Sequence, residues 1–503
     1  MNVLLIYPEF PDTFLGFKHA LKFIRKKAVS PPLGLLTVAA MLPEEWAKRL
    51  VDLNVTKLTG EDLAWADYAL ISGMVIQKDS ARRVIAQCKE AGVKVVAGGP
   101  LFTTEYDQFE EVDHLVLNEA EVTLPSFLTD LERGCARHIY TTSEFANIRE
   151  TPIPLWELAD LNLYASINIQ FCRGCPYDCD FCNVTTLFGH RARTKTIEQI
   201  IAELDKFYTL GWRGAAFFVD DNLIGNKKHF KSELLPALIE WQRGKGQTTF
   251  NCQISINLAD DEQLMGMMVE SGFDTVFIGI ETPNEDTLTE CGKKHNKNRN
   301  LVEDVKRIHR AGLQVEGGFI VGFDNDTHSV FQQQIDFIQK SGIVMAVVGM
   351  LQAPPGTKLH KRLRQENRVL GQISWNSIDG GTNIIPTMSL DVLREGYKKI
   401  LRHIYSPKHY YQRLKTFFRE YKPQKTETPQ NFEHILALFR SIYHLGIIGK
   451  ERFHYWNFLL WTCIHYPKLF PLAVRLAIYG HHFCRVCELY IFKNPEWSPK
   501  YGK

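Results

Sequence analysis

The sequence contains no run of about 20 apolar residues, the length that an α-helix needs to cross a bilayer. The first ten residues, MNVLLIYPEF, lack the basic segment of a secretion signal, and only 11 of the 503 residues are cysteine. We therefore expect no spanning helix, no disulfide framework and a reducing cytoplasmic location. The composition, 45% hydrophobic and 23% charged, is globular, and the length suggests two to four domains.

A formal charge of +2 hides an uneven distribution along the chain. Residues 366–503 contain 20 Lys and Arg against 10 Asp and Glu, so this segment carries +10 and the rest about −8. The segment is rich in aromatic residues and histidine, and its apolar pieces are interrupted by His465, Lys468 and Arg475. We expect a mostly helical cap domain over 366–503, whose apolar residues either form an ordinary core or touch a membrane peripherally.

Three closely spaced cysteines point to a metal centre. Cys175, Cys179 and Cys182 have the spacing C-x3-C-x2-C, so one loop can hold three irons of a cubane 4Fe–4S cluster and leave the fourth iron open. Cys172, three residues earlier, is a candidate fourth ligand, or could complete two cramped zinc half-sites. A further C-x2-C pair near the end of the sequence is interpreted as two ordinary thiols.

Short apolar segments alternate with helical ones through residues 1–145. Strands are predicted at 3–7, 50–55, 68–72 and 94–97, which indicates a parallel, doubly wound, Rossmann-like α/β domain. Ligands of such sheets bind over the carboxyl ends of the strands. No G-x-G-x-x-G follows the first strand, which argues against a dinucleotide. The strand ends carry Ser72, Gly73, Gly98, Gly99, Asn118 and Glu119.

A proline-punctuated linker is expected over 146–165, after which the alternation of strands and helices starts again. Strands are predicted at 167–171, 215–219, 251–256, 275–280, 314–321 and 345–351. Six such units over 166–365 fit a partial (β/α)6 barrel with its site at the carboxyl ends of the strands. Those ends carry Asp220, Asp221, Asn222, Glu281 and Gly322, although a polar residue there can instead cap a helix.

The cysteine triplet, with Phe181 directly before its last member, resembles the signature of the radical S-adenosylmethionine (radical SAM) superfamily. In that family SAM binds the open iron. A fourth thiolate would block that iron, so the resemblance implies that Cys172 is not a cluster ligand. The resemblance implies that Cys175, Cys179 and Cys182 are the cluster ligands.

The same resemblance implies the contacts of SAM. One of Asp220, Asp221 and Asn222 would meet the methionyl amino group, since a carboxylate or carbonyl complements an ammonium. Glu281 would lie near the ribose or the methionyl group, and Gly322 would end the strand that packs the adenine.

Residues 1–145 resemble the cobalamin-binding domain that precedes many radical SAM domains. Many such domains contain D-x-H-x-x-G, whose histidine ligates cobalt, but the corresponding stretch here, residues 52–57, has neither the histidine nor the final glycine. The lower cobalt face would therefore lack a histidine ligand. The implied cobalamin residues are Asn54, Ser72, Gly73, Gln77, Gly98, Gly99, Asn118 and Glu119. The alternative is an ordinary nucleotide-binding domain.

The complete order of domains resembles the cobalamin-dependent radical SAM enzymes, particularly the hopanoid C-2 methylases and their relatives, on the stretches 52–55, 71–77 and 220–226. This implies a methyltransferase that acts on an unactivated carbon of a small molecule or of a lipid such as a hopanoid. One electron would cleave SAM, the 5′-deoxyadenosyl radical would remove a hydrogen, and methylcobalamin would supply the methyl group. The electron would come from an external reductant such as flavodoxin or ferredoxin.

Other functions remain open at this stage. A non-methylating enzyme of the same fold would catalyse a rearrangement, cyclisation or oxidation with auxiliary cobalamin. A cobalamin- or Fe–S-based sensor would show no turnover. Modification of RNA is disfavoured, and no nucleic acid partner is expected, because no obvious RNA-binding module follows the barrel.

Overall fold

The computed structural model describes residues 1–245, 248–371, 378, 380–423 and 432–492. These ranges hold two six-stranded parallel sheets, a small antiparallel hairpin and a group of C-terminal helices. The predicted α/β class, with a mostly helical C-terminal part, is confirmed. The predicted domain boundaries at 145, 165 and 365 stay predictions.

The first sheet has the order β2-β1-β3-β4-β5-β6 and is parallel throughout. Its strands are β1 (Asn2–Tyr7), β2 (Ala47–Asp52), β3 (Tyr68–Ser72), β4 (Lys94–Gly98), β5 (His114–Val116) and β6 (Ile139–Tyr140). The connecting helices are Leu33–Met41, Gly60–Trp65, Lys78–Glu90, Pro100–Glu105 and Ala120–Glu132. Each face of the sheet has a separate apolar core, and the order reverses between β1 and β3, where ligands of such sheets bind.

The second sheet has the order β14-β13-β12-β11-β10-β7, so consecutive βα units lie side by side. The strands from here on are β7 (Ser166–Ile169), β8 (Cys172–Arg173), β9 (Arg193–Thr194), β10 (Ala215–Phe218), β11 (Phe250–Gln253), β12 (Phe273–Glu281), β13 (Gln314–Val321) and β14 (Ala346–Met350). The antiparallel pair β8 and β9 forms a hairpin outside the sheet. The predicted partial (β/α)6 barrel is confirmed.

Helices cover the outside of the barrel, and further helices pack against it. The barrel helices are Ile197–Thr209, Leu235–Lys245, Glu262–Glu270, Glu285–Glu290, Leu301–Ala311, Val330–Ser341 and Lys358–Gln365. The C-terminal helices are Leu390–Ile404, Pro407–Glu420, Phe432–Ser441, Arg452–His465 and Phe470–Val486. Barrel and C-terminal helices share one continuous apolar core. None of the helices in the described ranges combines the length and apolarity that crossing a bilayer requires.

One predicted strand is shorter in the structure, and the segment 146–165, whose assignment as a linker stays a prediction, is packed. The strand predicted at 251–256 ends at Gln253, because a short helical turn, Ile256–Asp260, follows it. The segment predicted as a linker packs into the main core, where Trp156 is fully buried with its ring 4.5 Å from that of Phe207. The prolines there shape a packed connection between the sheets.

Hydrogen bonds join the segment after β1 to the C-terminal helices. After β1 the chain leaves its sheet, and the carbonyl of Phe14 lies 2.8 Å from Nε2 of the buried His482. Arg440 Nη1 donates to the carbonyl of Phe23 at 2.5 Å. Of the C-x2-C pair, Cys484 donates to the carbonyl of Tyr405 at 2.8 Å and Cys487 is fully buried.

Candidate active site at the carboxyl ends of the barrel strands

The loop that carries the three cysteines is held by the hairpin of β8 and β9. Gly174, directly after β8, has φ +89°, and a Cβ there would lie 2.5 Å from the carbonyl oxygen of Arg191. Only glycine therefore fits at this turn. The amide of Cys175 donates to the carbonyl of Gly189 at 3.3 Å, which closes the base of the loop.

The three thiols of the loop are half-buried and share one environment. Burial, with smaller contributions from the neighbouring thiols, raises the pKa of Cys179 to about 11 and that of Cys182 to about 12. Burial also raises the pKa of Cys175. Cys172 is buried apart from them and donates to the carbonyl of Asn222 at 3.7 Å. Among the residues that the structure describes, no three His, Cys, Asp or Glu side chains are already gathered closely enough to hold a metal ion.

Two adjacent carboxylates after β10 differ in their surroundings. Asp220 is fully buried and accepts hydrogen bonds from the backbone amides of Phe171 and Cys172. Within the described chain, Asp221 makes no hydrogen bond or ion pair with another residue. Burial and then the charge of Asp220 raise its pKa to about 7. The charge of Asp221 also raises the pKa of Cys175. Asp221 therefore offers a free carboxylate beside the thiols.

Asn222 connects this strand end to the next strand. Its Oδ1 accepts from the amide and the hydroxyl of Ser255 at 3.2 and 3.3 Å. Its Nδ2 is buried and has no partner in the described structure. Asn222 is therefore a free donor close to the cluster loop.

A buried ion pair lies at the end of β12. Glu281 has φ +62° and its Oε1 accepts from the Lys293 ammonium, and both side chains are at most 10% exposed. A Cβ on Gly279 would lie 2.6 Å from Lys293 Nζ, so glycine makes room for the pair. The positive charge of Lys293 lowers the pKa of Cys175 and Cys179, against the larger effect of burial. Sequence reasoning missed Lys293, since no motif marks it.

Glycines keep the barrel interior open next to this site. Gly279 pairs with Gly318 in the register of β12 and β13, and a Cβ on Gly349 of β14 would meet nothing within 4 Å. Gly322 has φ +104°, and a Cβ there would lie 2.9 Å from Leu393 of the C-terminal helices. Gly322 thus packs against the helical cap.

The predicted cobalamin residues lie at the carboxyl edge of the first sheet. Asn54 Nδ2 and Gln77 Nε2 both donate to the carbonyl of Pro8, which follows β1. A Cβ on Gly98 would lie 2.5 Å from the carbonyl of Val116, and a Cβ on Gly99 would collide with Ser72. The packing of the sheet itself therefore requires these two glycines. A Cβ on Gly73 would meet Gln77 Oε1 at 3.4 Å.

Acidic residues after β5 bind the cluster hairpin. Glu119 accepts from Arg173 at 3.0 Å and from both terminal nitrogens of Arg193 at 3.0 Å. Glu121 accepts from Arg173 at 2.7 Å. Asn118 Oδ1 accepts from the Thr141 hydroxyl at 2.8 Å. These ion pairs place the edge of the first sheet beside the cysteine loop, and the role of Asn118 and Glu119 toward cobalamin stays a prediction.

A barrel of parallel βα units with a three-cysteine loop at its carboxyl edge defines a radical SAM protein. In agreement, residues 169–338 match the model of the radical SAM superfamily, and residues 357–494 match a domain of unknown function, DUF4070. The chain is 38% identical to an uncharacterized methyltransferase of Synechocystis sp. over 97% of this chain and 92% of that one. It is 33% identical to the hopanoid C-2 methylase of Rhodopseudomonas palustris over 91% and 89% of the two chains.

This chain belongs to the family of radical SAM methyltransferases that includes hopanoid C-2 methylase. The fold is shared with OxsB, a cobalamin-dependent SAM radical enzyme, at a TM-score of 0.61 and 15% identity over 99% of this chain and 84% of that one. It is also shared with the methyltransferase TsrM from Kitasatospora setae, at a TM-score of 0.57 and 15% identity over 73% and 78%. The predicted enzyme class, a C-methylating radical SAM enzyme, is confirmed, as are the SAM and 4Fe–4S cluster that define that superfamily. The OxsB and TsrM structures hold cobalamin, and its binding by this chain stays a prediction.

Proposed function

We propose that this enzyme methylates an unactivated carbon of an apolar lipid of the hopanoid kind, in a cavity shared by the barrel and the first sheet. The observation that carries the proposal is the clustering of a free carboxylate, three half-buried thiols and a buried ion pair at one mouth of a glycine-lined barrel. The likeness to hopanoid C-2 methylase supports the substrate class.

The donor groups of the mouth fit the cofactors. Three thiols on one loop suit iron, and the free carboxylate of Asp221 suits the ammonium of the methionyl group. When bound, the cluster supplies an electron to SAM and cobalamin carries the methyl group. Asp221 is the member of the 220–222 triad that we assign to SAM. Asp220 is committed to the backbone, and the side-chain oxygen of Asn222 is occupied by Ser255.

The ion pairs of Glu119 and Glu121 with the hairpin set the orientation of the two halves of the site. Arg173 lies two residues before Cys175, so a shift of the first sheet would move the cluster loop directly. A further link joins the sheets, since the Tyr164 hydroxyl donates to the buried Asp52 at 2.9 Å. These contacts would hold a cobalamin on the first sheet and a cluster on the cysteine loop on either side of one substrate.

The proposal includes partners. The electron for the cluster comes from an external one-electron reductant such as flavodoxin or ferredoxin, and the enzyme works in the cytoplasm, where an oxygen-sensitive cluster is kept reduced. A lipid substrate further requires access to a membrane, which we assign to the C-terminal helices.

Anaerobic reconstitution with iron, sulfide and cobalamin tests the cofactor assignment. We expect the Cys179→Ala variant to lose SAM cleavage, measured as 5′-deoxyadenosine, and to keep the visible absorption spectrum of bound cobalamin. The exposed Cys463 provides the matched control, and Cys463→Ala should cleave SAM normally. Cleavage retained by Cys179→Ala would refute the cluster assignment.

Mass spectrometry of lipid extracts incubated with the reconstituted enzyme tests the reaction. We expect a lipid product heavier by one CH2 group, with the added carbon derived from labelled SAM. A product of unchanged or dehydrogenated mass would contradict methylation. Methylation confined to water-soluble molecules would contradict the substrate class.

A further inference from the structure

Two of the C-terminal helices leave a large apolar surface uncovered. We call helices Phe432–Ser441 and Arg452–His465, with residues 442–451 between them, the apolar hairpin. A helix that packs on one side normally places polar residues on the other. The apolar hairpin instead has large apolar side chains on both sides.

The second helix shows this most directly. Tyr455, Phe458, Leu459 and Thr462 are buried against the protein. On the opposite side, Phe453 is 75% exposed, Trp456 39%, Leu460 60% and Ile464 76%. Spacings of three and four residues place these four side chains in one stripe. This stripe lies outside the core.

The first half of the hairpin continues the stripe. Ile435, Phe439, Tyr443 and Ile447 recur every four residues and are 44%, 63%, 54% and 58% exposed. Trp456 joins the two halves, because its Nε1 donates to the carbonyl of Gly446 at 3.0 Å. The exposed face is therefore one surface, and its size exceeds the scattered exposure of apolar residues that is normal for proteins.

The charges around this surface are cationic. Lys450, Arg452 and Lys468 are exposed on the hairpin or just after it. Lys415 and Arg419 lie 5.3 and 5.9 Å from the ring centroid of Trp461 on the second helix. Both carboxylates of the apolar hairpin, Glu433 and Glu451, are partly buried, and Glu451 is paired with His481 at 3.1 Å. The charged residues that the structure shows exposed on the hairpin itself are thus positive.

We propose that the apolar hairpin docks this enzyme on the surface of a bilayer that contains anionic lipids. Apolar and aromatic residues in a helical stripe, with basic residues at the border, are what an interfacial helix requires. The inference deepens the proposed function and rests on it for its purpose, because an apolar lipid substrate would reach the barrel from that bilayer.

Vesicle co-sedimentation of the reconstituted enzyme tests the docking. The probes are vesicles of phosphatidylcholine alone and vesicles of phosphatidylcholine with phosphatidylglycerol. We expect binding to the mixed vesicles, weakened about tenfold or more by the double variant Phe453→Gln with Ile464→Gln, since burying each such side chain stabilises binding substantially. Leu210→Gln, at an exposed apolar position beside a barrel helix, is the matched control and should bind normally.

Circular dichroism, thermal unfolding and cleavage of SAM in solution should be the same for the double variant and the wild type. Absence of vesicle binding, equal binding to both vesicle types, or binding unaffected by the double variant would overturn the inference. A dimer that the double variant dissociates, without vesicle binding, would show an interface between copies and overturn it also. Because vesicle binding requires no turnover, failure here leaves the proposed methylation to be judged separately, with substrate dispersed in detergent.

Discussion

Asp220 and Asp221 are neighbours in sequence, yet they serve different purposes. Asp220 accepts two backbone hydrogen bonds, whereas Asp221 makes none with another residue in the described chain. We expect Asp221→Asn to weaken SAM binding about tenfold or more, because an amide replaces the charge that would face the methionyl ammonium in the proposed site. Asp220→Asn should lower the free energy of unfolding by about 1–3 kcal/mol. Calorimetric titration with SAM measures the first effect and denaturant unfolding the second. Equal SAM affinities of Asp221→Asn and the wild type would contradict the assignment.

Gly174 is the residue on which the shape of the cluster loop depends. A side chain at φ +89° would be strained and would collide with the Arg191 carbonyl. We expect Gly174→Ala to reduce the iron and sulfide bound after reconstitution severalfold. The control is Gly266→Ala, in the middle of helix Glu262–Glu270 where a Cβ meets nothing within 4 Å, and it should stabilise the protein slightly. Normal iron content in Gly174→Ala would show that the loop tolerates a different conformation.

At the scale of single residues, the sequence predicts a functional role where the residues that act together are close in the chain. The cysteine triplet lies on one loop, so spacing alone indicates its chemistry. Lys293 reaches Glu281 from beyond a helix, and Glu119 meets Arg193 across two sheets, and neither pairing leaves a spacing to recognise. Which of two adjacent carboxylates is free also depends on the turn of the backbone.

At the scale of elements, the hairpin of β8 and β9 is the joint between the two halves of the site. Burial raises the pKa of Glu121, but the charge and hydrogen bond of Arg173, together with the hydrogen bonds from the amide of Glu121 itself and from Thr151, hold that pKa below its ordinary value. We expect Arg173→Met to lower the free energy of unfolding by about 2 kcal/mol and to release more 5′-deoxyadenosine per methylated product. Arg243→Met, which removes an exposed ion pair, is the control. An unchanged product ratio would show that the joint is only structural.

A buried histidine connects a barrel helix to the cap. His309 of helix Leu301–Ala311 packs edge-on against Phe417 at 4.9 Å, and neither ring nitrogen has a partner in the described structure. Burial, with smaller contributions from the charges of Lys306 and Arg310, lowers the pKa of His309 to about 3 against the opposing charge of Glu420. The folded state therefore excludes the proton.

The stabilisation associated with neutral His309 is fully present above the unfolded pKa of about 6.5. As pH falls from there toward 3, the unfolded state takes up a proton that the folded state excludes, and the free energy of unfolding decreases by up to about 1.4 kcal/mol per pH unit. We expect denaturant unfolding at pH 7.5 and 5.5 to show this loss in the wild type. The loss should be smaller in His309→Leu, whereas His328→Leu, at an exposed histidine, should match the wild type. Equal pH dependence in both variants would contradict this role for His309.

Element types were predictable where hydrophobic periodicity decides them. The bounds predicted for β3 and β13 agree with the structure, because the middle of β3 is a buried apolar run and β13 alternates buried with half-buried residues. The hairpin of β8 and β9 was missed, since strands of two residues have no periodicity. The segment 146–165 was predicted as a linker from its prolines, and only packing against the barrel shows that Trp156 belongs to the core.

At the scale of the whole molecule, the buried apolar residues form one large core and two smaller ones. One apolar core runs from the barrel through the C-terminal helices, whereas the first sheet has its own cores on either face. The two parts meet through ion pairs such as those of Glu119 and through a few apolar residues, such as Leu36, that belong to the main core. We therefore expect the first sheet to open locally without unfolding the barrel.

Hydrogen exchange measured by mass spectrometry tests this division. We expect amides of β12, β13 and helix Phe470–Val486 to open together, since they belong to one core, and those of β1 and β3 to open separately.

Gly480→Ala would push a Cβ into the ring of Tyr410 and should destabilise the shared core by about 1–3 kcal/mol. Protection should fall in the barrel and the helix together, and stay unchanged in the first sheet. Gly34→Ala, where a Cβ meets nothing within 4 Å, should leave the shared core unaffected. Loss of protection confined to the C-terminal helices would show that the cap is an independent unit.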